Sequence, residues 1–318
     1  MKKTLSVILL AVFFLVIAFP AINKELKLVR VNELDGAFYP LPEPVLTLDS
    51  WFSGEFQKAY SPWLEENIGL RPFFIRVFNQ FRYSIYREAT AHGCMIGRER
   101  VLYHTGYYEA YTGSNSIGRK KAQEQVGKMK YIQDRLEEKG ISFLYVMAPG
   151  KVSVYNDYLP AYLDAEACDT SNNKLVAREC LEQGVHHIDF ATYFKSMKDT
   201  IAYPLFPKGG VHWSGYGTSL AADSIFPYLE EISGKDLRNF SVHPGYEANG
   251  KYVWTDNDIE KSFNLLFPMQ SWTLYNPEVR FEEDTSKVSD RILLVGDSFT
   301  QSLFFFYDYF NNLFTDES

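Results

Sequence analysis

Apolar residues follow three different periods along this chain, and each period predicts a different kind of element. From Leu5 to Ile22 the run is mostly apolar and carries no charge. Its eighteen residues fall within the roughly 17–25 with which a helix crosses a bilayer. From Leu46 to Arg87 the spacing becomes three to four. Trp51, Phe52, Phe56, Trp63 and Leu64 form one group, and Phe73, Phe74, Val77, Phe78, Phe81 and Ile85 another. This predicts one or two amphipathic helices, broken at Gly69-Leu70-Arg71-Pro72. Beyond residue 91, short continuous runs alternate with helical periodicity. Met95–Gly97 and Arg100–His104 read as a hairpin, and 120–139 as a helix ended by Gly140. Residues 143–148 read as a buried strand, 172–183 as a helix, 185–190 as a strand and 218–229 as a helix. Residues 235–290 are polar and irregular, the pattern of an insertion or covering loop. Arg291–Val295 is a last strand, stopping at Gly296. Strand alternating with helix predicts an α/β fold with a doubly wound parallel sheet.

Charge gives the apolar N-terminal run a direction. Lys2 and Lys3 precede it, so the positive-inside rule places the N-terminus in the cytoplasm and everything after Asn23 outside. The organisation expected is a signal anchor over 1–23, a stalk (Pro40, Pro42, Pro44) with amphipathic helices over 24–90, and the α/β domain over 91–318. A cleaved signal peptide is the competing reading, although the run exceeds a usual h-region and no clean small-x-small site follows it. Both readings export the protein, and the location expected is the cell membrane with the domain on the extracytoplasmic side. The net charge of −8, without a Lys/Arg-rich stripe, argues against a nucleic-acid partner. Cys94, Cys168 and Cys180 lack paired metal spacing, and no metal is expected. Cys168 and Cys180 are the nearest pair for a disulfide, with buried or free thiols the default.

The candidate chemistry begins where the last strand stops, at Gly296-Asp297-Ser298. A tight turn there lifts a serine above the carboxyl edge of a sheet, and the following helix supplies backbone N–H donors. The competing reading is a plain strand-to-helix turn with Asp297 or Ser298 as N-cap. A nucleophilic serine needs a base, and the histidine contexts differ. His186 and His187 lie in a predicted strand, while His92, His104 and His243 have no accompanying motif. His212 stands in Pro207-Lys-Gly-Gly-Val-His-Trp-Ser-Gly-Tyr-Gly217, a glycine-rich loop leading into a helix. It is the candidate base, against a plain loop or N-cap histidine.

Gly296-Asp297-Ser298-Phe299 placed after His212-Trp213, in an exported anchored chain, resembles the alginate O-acetyltransferase family, the SGNH-hydrolase-like AlgJ/AlgX group. Three further segments agree in order: Phe52–Asn79 with Gly69-Leu-Arg71, Gly97–Leu102, and Val146-Met-Ala-Pro149 followed by Lys151, Tyr155 and Leu159-Pro160. The resemblance covers about residues 45–305. It implies an SGNH-hydrolase-like parallel sheet flanked by helices, with acyl transfer through Ser298 as nucleophile and His212 as base. The acceptor would be a polysaccharide hydroxyl, and the acetyl donor a membrane-bound O-acyltransferase partner. No cofactor is implied. Gly150 and Lys151 are candidates for the second side of an oxyanion hole, and Trp213 for stacking on a sugar. The family's histidine is usually preceded, two residues earlier, by an orienting aspartate, and here that position is Gly210. The alternatives are a dyad, a substitute carboxylate such as Asp189, or a slow or inactive enzyme. A non-catalytic carbohydrate-binding or scaffold protein and an SGNH acetylesterase are the competing functions. The family usually continues with another strand and helix beyond the segment that ends here at Ser318.

Overall fold

The computed structural model describes residues 2–36, 39–163, 168–248, 252–253, 255–282, 287 and 290–315. The chain forms two compact units, one of Met1–Thr90 with Lys261–Pro268, the other of Ala91–Glu260 with Met269–Ser318.

The first unit is helical. Helix α1 (Lys2–Leu26) contains the apolar run and is long and apolar enough to cross a membrane by length and composition. Helix α2 (Leu48–Phe52) starts at a capping box in which Thr47 and Ser50 exchange hydrogen bonds. Helices α3 (Glu55–Asn67) and α4 (Arg71–Phe81) are separated at the predicted break, with Pro72 in the first turn of α4. A π-helical turn, Arg82–Tyr86, extends α4.

The second unit holds the α/β core. Strands β1 (Cys94–Ile96) and β2 (Leu102–His104) pair antiparallel as the predicted hairpin, and helix α5 (Thr105–Thr112) follows directly. Helix α6 (Arg119–Glu137) leads to strand β3 (Tyr145–Met147) and the single turn α7 (Lys151–Val154). Helix α8 (Asn172–Gln183) leads to strand β4 (His187–Asp189) and helix α9 (Phe190–Met197). β3 and β4 pair in parallel, Tyr145 opposite His187 and Met147 opposite Asp189, which is the β-α-β arrangement the alternation predicts. Helix α10 (Gly215–Ser233) packs over the core, with Ala221, Ala222, Ile225 and Phe226 buried among Phe190, Phe194, Phe206 and Trp213.

Two expectations are corrected. Residues 235–290 contain a long antiparallel pair, β5 (Phe240–Ala248) and β6 (Leu274–Phe281), with the short helix α11 (Asp258–Ser262) between them. The polar alternation that reads as loop belongs to strands with one face exposed. The last strand expected, 291–295, is assigned no strand and joins no ladder among the described residues. Ile292 and Leu294 pack on the core while Leu293 and Val295 are 88% and 91% exposed. Helices α12 (Ser298–Phe305) and α13 (Tyr309–Leu313) close the unit. Residues 316–318, the end of the chain given, lie outside the described residues. All three cysteines are free thiols.

Candidate active site

The turn at 296–298 puts the serine at the first position of α12. Asp297 is the N-cap, its carboxylate accepting from the Phe299 amide at 2.9 Å. A Cβ at Gly296 would lie 2.1 Å from Thr300 Oγ1, so a larger residue here would have to push the Thr300 side chain aside. Ser298 is exposed and the adjacent Phe299 is buried, which fixes the turn with its hydroxyl outward.

His212 arrives from the other side on its glycine loop. Trp213 anchors the loop in the core, edge-on to Phe190 at 5.8 Å and to Phe299 at 5.3 Å. Ser214 caps α10, accepting from the Gly217 amide and donating to the Pro204 carbonyl. The imidazole packs against the Phe299 ring with centroids 4.7 Å apart. Ser298 Oγ lies 2.7 Å from His212 Nε2, so two loops 86 residues apart meet at hydrogen-bond distance.

The other ring nitrogen, Nδ1, lies 2.8 Å from Oδ2 of Asp258. The second oxygen of Asp258 accepts from the Val211 amide at 2.8 Å and from the Ile259 amide at 2.7 Å. The carboxylate is therefore held from both sides and accepts the hydrogen bond from Nδ1–H, which keeps the proton on Nδ1 and leaves Nε2 to accept from the serine O–H. Ser298, His212 and Asp258 form a complete triad geometry.

Asp258 is the residue that sequence reasoning missed. It lies 46 residues from His212, within the polar stretch that reads as a covering loop. The signal present was indirect, in Gly209 and Gly210. A Cβ at Gly210 would meet the Thr255 carbonyl oxygen at 2.4 Å, Pro207 Cγ at 2.7 Å and the Asp256 oxygen at 2.9 Å. The Glu260 amide also donates to the Gly209 carbonyl at 3.0 Å. The glycine at the position where the resemblance implies an aspartate thus lets segment 255–260 lie flush on the histidine loop and deliver a carboxylate from outside.

The remaining candidates have other partners. Asp189 caps α9: its Oδ1 accepts from the amides of Ala191 and Thr192 and from Asn173, and its Oδ2 from the Thr192 hydroxyl. It is a capping residue, and the acid on the imidazole is Asp258. Lys151 is 1% exposed, its ammonium donating to the carbonyls of Leu102 at 2.8 Å and Lys208 at 3.2 Å. It ties β2 to the base of the histidine loop, so two of its three donors are spent on carbonyls away from the triad. Burial pushes its pKa down to about 7, against the opposing pull of the Asp258 charge. Trp213 is 2% exposed, so no ring face is open for a sugar. Gly150 begins α7, and a Cβ there would sit 2.5 Å from the Tyr107 ring. Burial raises the Tyr107 pKa, with the Asp297 and Asp258 charges adding to it.

A largely apolar cavity of about 1090 Å³ lies between β3 and segment 292–297. Gly150, Tyr107, Asp297 and Phe299 line it, but none of the three triad side chains does, so the cavity adjoins the triad rather than holding it. Among the described residues no cluster of His, Cys, Asp or Glu suits a metal ion.

The family described as "SGNH hydrolase-like domain, acetyltransferase AlgX" matches residues 95–317. The chain belongs to this family. The SGNH-like α/β fold expected from the sequence is thereby shown. A curated relative, "Probable alginate O-acetylase AlgJ" of Pseudomonas putida, is 20% identical over 187 residues, 59% of this chain and 46% of that protein. The chain thus spans about half the length of the curated relative it matches. Among solved structures, the O-acetyltransferase domain of Pseudomonas putida AlgJ is 18% identical, with a TM-score of 0.41, covering 60% of this chain and 66% of its own. Pseudomonas aeruginosa AlgX is 15% identical, with a TM-score of 0.48, covering 70% and 53%.

Proposed function

We propose that this member of the AlgX family is a membrane-anchored, extracytoplasmic O-acetyltransferase that moves acetyl groups to a polysaccharide hydroxyl. The observation that carries the proposal is the unbroken relay from Ser298 Oγ to His212 Nε2 and from Nδ1 to Asp258. A fold kept only as a carbohydrate-binding scaffold has no need to hold a serine, an imidazole and a relocated carboxylate in line. α1, long and apolar enough to span a membrane with Lys2 and Lys3 before it, supports the anchor and its direction.

In the proposed reaction Ser298 Oγ attacks the acetyl carbonyl carbon of the donor while its proton passes to His212 Nε2. Asp258 holds the ring and balances the imidazolium charge. The oxyanion takes the Ser298 amide at the first turn of α12, with the Gly150 strand end as the other side. Collapse breaks the bond to the donor, whose leaving oxygen takes the proton from Nε2, and an acetyl-serine remains. A sugar hydroxyl then gives its proton to Nε2 and attacks the acetyl-serine. The new ester leaves and Ser298 regains its proton. A membrane-bound O-acyltransferase partner is the proposed source of the acetyl group, and no cofactor takes part.

One observation favours a second reading. Ser298 is exposed, and water can compete at an open nucleophile, making the enzyme an acetylesterase. Both readings are tested by incubating the full chain with p-nitrophenyl acetate, with and without acetylatable oligosaccharides. An acetyl group trapped on the Ser298 peptide supports the shared acyl-enzyme. Acceptor-dependent release of p-nitrophenol with acetylated sugar supports transfer. Equal release with no sugar product supports the esterase, and no acetyl-serine at all overturns both.

A further inference from the structure

Helix α4 is built inside out for a water-soluble unit. Its polar face is the one fastened to the rest of the first unit. Arg76 donates to the carbonyls of Asn32 and Glu33 at 2.8 and 2.7 Å, Asn79 donates to the Phe263 carbonyl at 2.8 Å, and Gln80 accepts from the Phe267 amide at 3.0 Å. Tyr83, one turn on, is 2% exposed, edge-on to the Phe263 ring. The opposite face carries Phe74, Phe78, Phe81 and Ile85 at helical spacing, and these are 48%, 57%, 53% and 63% exposed. Polar anchoring on one side fixes the apolar side outward, and a contiguous apolar face of this kind marks an interaction surface.

Two features of the same unit identify what it meets. The turn between α3 and α4 rests on the last turns of α1: a Cβ at Gly69 would lie 1.8 Å from the Pro20 carbonyl oxygen, and the Lys24 ammonium sits 5.3 Å over the Trp63 ring. At 1.5 Å per residue, a helix entering the hydrocarbon near Thr4 leaves it after about 20 residues, at the level of Pro20–Lys24. The start of α4 is thus pinned where the span emerges. Charge is the second feature. Between Ile68 and Arg87 the chain has Arg71, Arg76, Arg82 and Arg87 and no acid, and although Arg82 pairs with Glu88, the segment stays net positive in a protein of net charge −8. Arginines beside an outward aromatic face are the composition of a helix lying in a headgroup layer, and Trp51, Tyr60 and Trp63 on the neighbouring helices are belt residues.

We infer that α4, with its π-helical extension, lies in the lipid interface of the leaflet from which α1 emerges, its phenylalanines among the acyl chains and Arg71 and Arg87 near the phosphates. This rests on the anchor reading above. It is tested on the full chain in phosphatidylcholine/phosphatidylglycerol nanodiscs, with single spin labels at Phe78→Cys, Ile85→Cys and Phe13→Cys in a background free of Cys94, Cys168 and Cys180. The expected result is that labels 78 and 85 are relaxed more by oxygen than by a water-soluble nickel chelate, at a depth of roughly 5–10 Å, with label 13 deeper. Greater relaxation by nickel at 78 and 85 puts this face in water and overturns the inference. Shielding from both reagents puts a protein there, a second copy or another partner, and also overturns it. A label at 13 reached by nickel overturns the anchor itself, and with it this inference. Should the cysteine-free background fail to fold, the wild-type chain serves. With Phe78→Trp introduced there, lipids brominated near the glycerol end should quench the added fluorescence more than lipids brominated near the chain terminus, and no added quenching by either refutes the interface.

Discussion

Replacing Asp258 by asparagine tests the assembly of the site most directly, because the change is nearly isosteric and its consequences can be worked out atom by atom. Oδ1 of Asp258 accepts from two backbone amides, Val211 and Ile259. An asparagine keeps its oxygen there, and the loops stay docked. Its NH₂ group then falls at the position of Oδ2, 2.8 Å from His212 Nδ1. A donor facing Nδ1 forces the ring proton onto Nε2, which can no longer accept from Ser298. The charge is lost as well. At 2.8 Å an imidazolium–carboxylate pair is worth about 6 kcal/mol with an effective dielectric of about 20. The Asp258 side chain is 29% exposed, so solvent screening roughly halves that value. At 1.36 kcal/mol per decade, turnover should fall by between about 10² and 10⁴. The assay is p-nitrophenyl acetate turnover in detergent micelles, with thermal unfolding as the control for docking. A variant that melts like wild type and retains turnover within about threefold refutes the triad.

Four further outcomes are expected. Ser298→Ala and His212→Ala should each abolish labelling by a fluorophosphonate probe, read by mass spectrometry of the Ser298 peptide or by gel fluorescence. Gly210→Ala removes no functional group, yet its methyl would press on the carbonyls of Thr255 and Asp256; turnover should fall about tenfold or more, with about 1–3 kcal/mol lost in stability. Lys151→Met leaves the buried carbonyls of Leu102 and Lys208 without their ammonium donor and should cost about 2–4 kcal/mol by denaturant unfolding. Because burial lowers the Lys151 pKa from 10.5 to about 7, the unfolded chain binds the extra proton between those values. Stability contributed by this group therefore rises from pH 7 towards 10.5, and that slope should be absent from Lys151→Met.

Much of the site was legible because its two reacting groups sit in local signals. Ser298 follows an apolar run cut off by glycine, and His212 lies in a glycine-rich loop just before a helix, patterns a few residues long. Helices α4, α6 and α8 were legible for the same reason, each carrying its own periodicity and its own breaker. Asp258 was not, because its role depends on tertiary contact alone: nothing within a few residues of it distinguishes it from any acid in a polar loop. Asp189 was the tempting substitute, since it ends a strand, but a strand-end aspartate before a helix is also the ideal cap, and capping is what it does. Lys151 and Trp213 misled in a common way. A lysine at a strand end suggests an oxyanion donor and a tryptophan beside the base suggests a sugar platform, whereas burial makes one a tie between two carbonyls and the other part of the core. Strands β5 and β6 escaped because much of β5 is exposed and polar, so it resembles a loop.

The order in which the triad residues occur has a consequence for biogenesis. The imidazole is synthesised first, its carboxylate next and the nucleophile last. If the chain is exported as proposed, it carries a base without a target from the emergence of residue 212 until residue 298 appears. On the proposed mechanism and export, a shortened product that stops ahead of residue 298 has no nucleophile, and activity begins only once the α/β unit has been completed and folded.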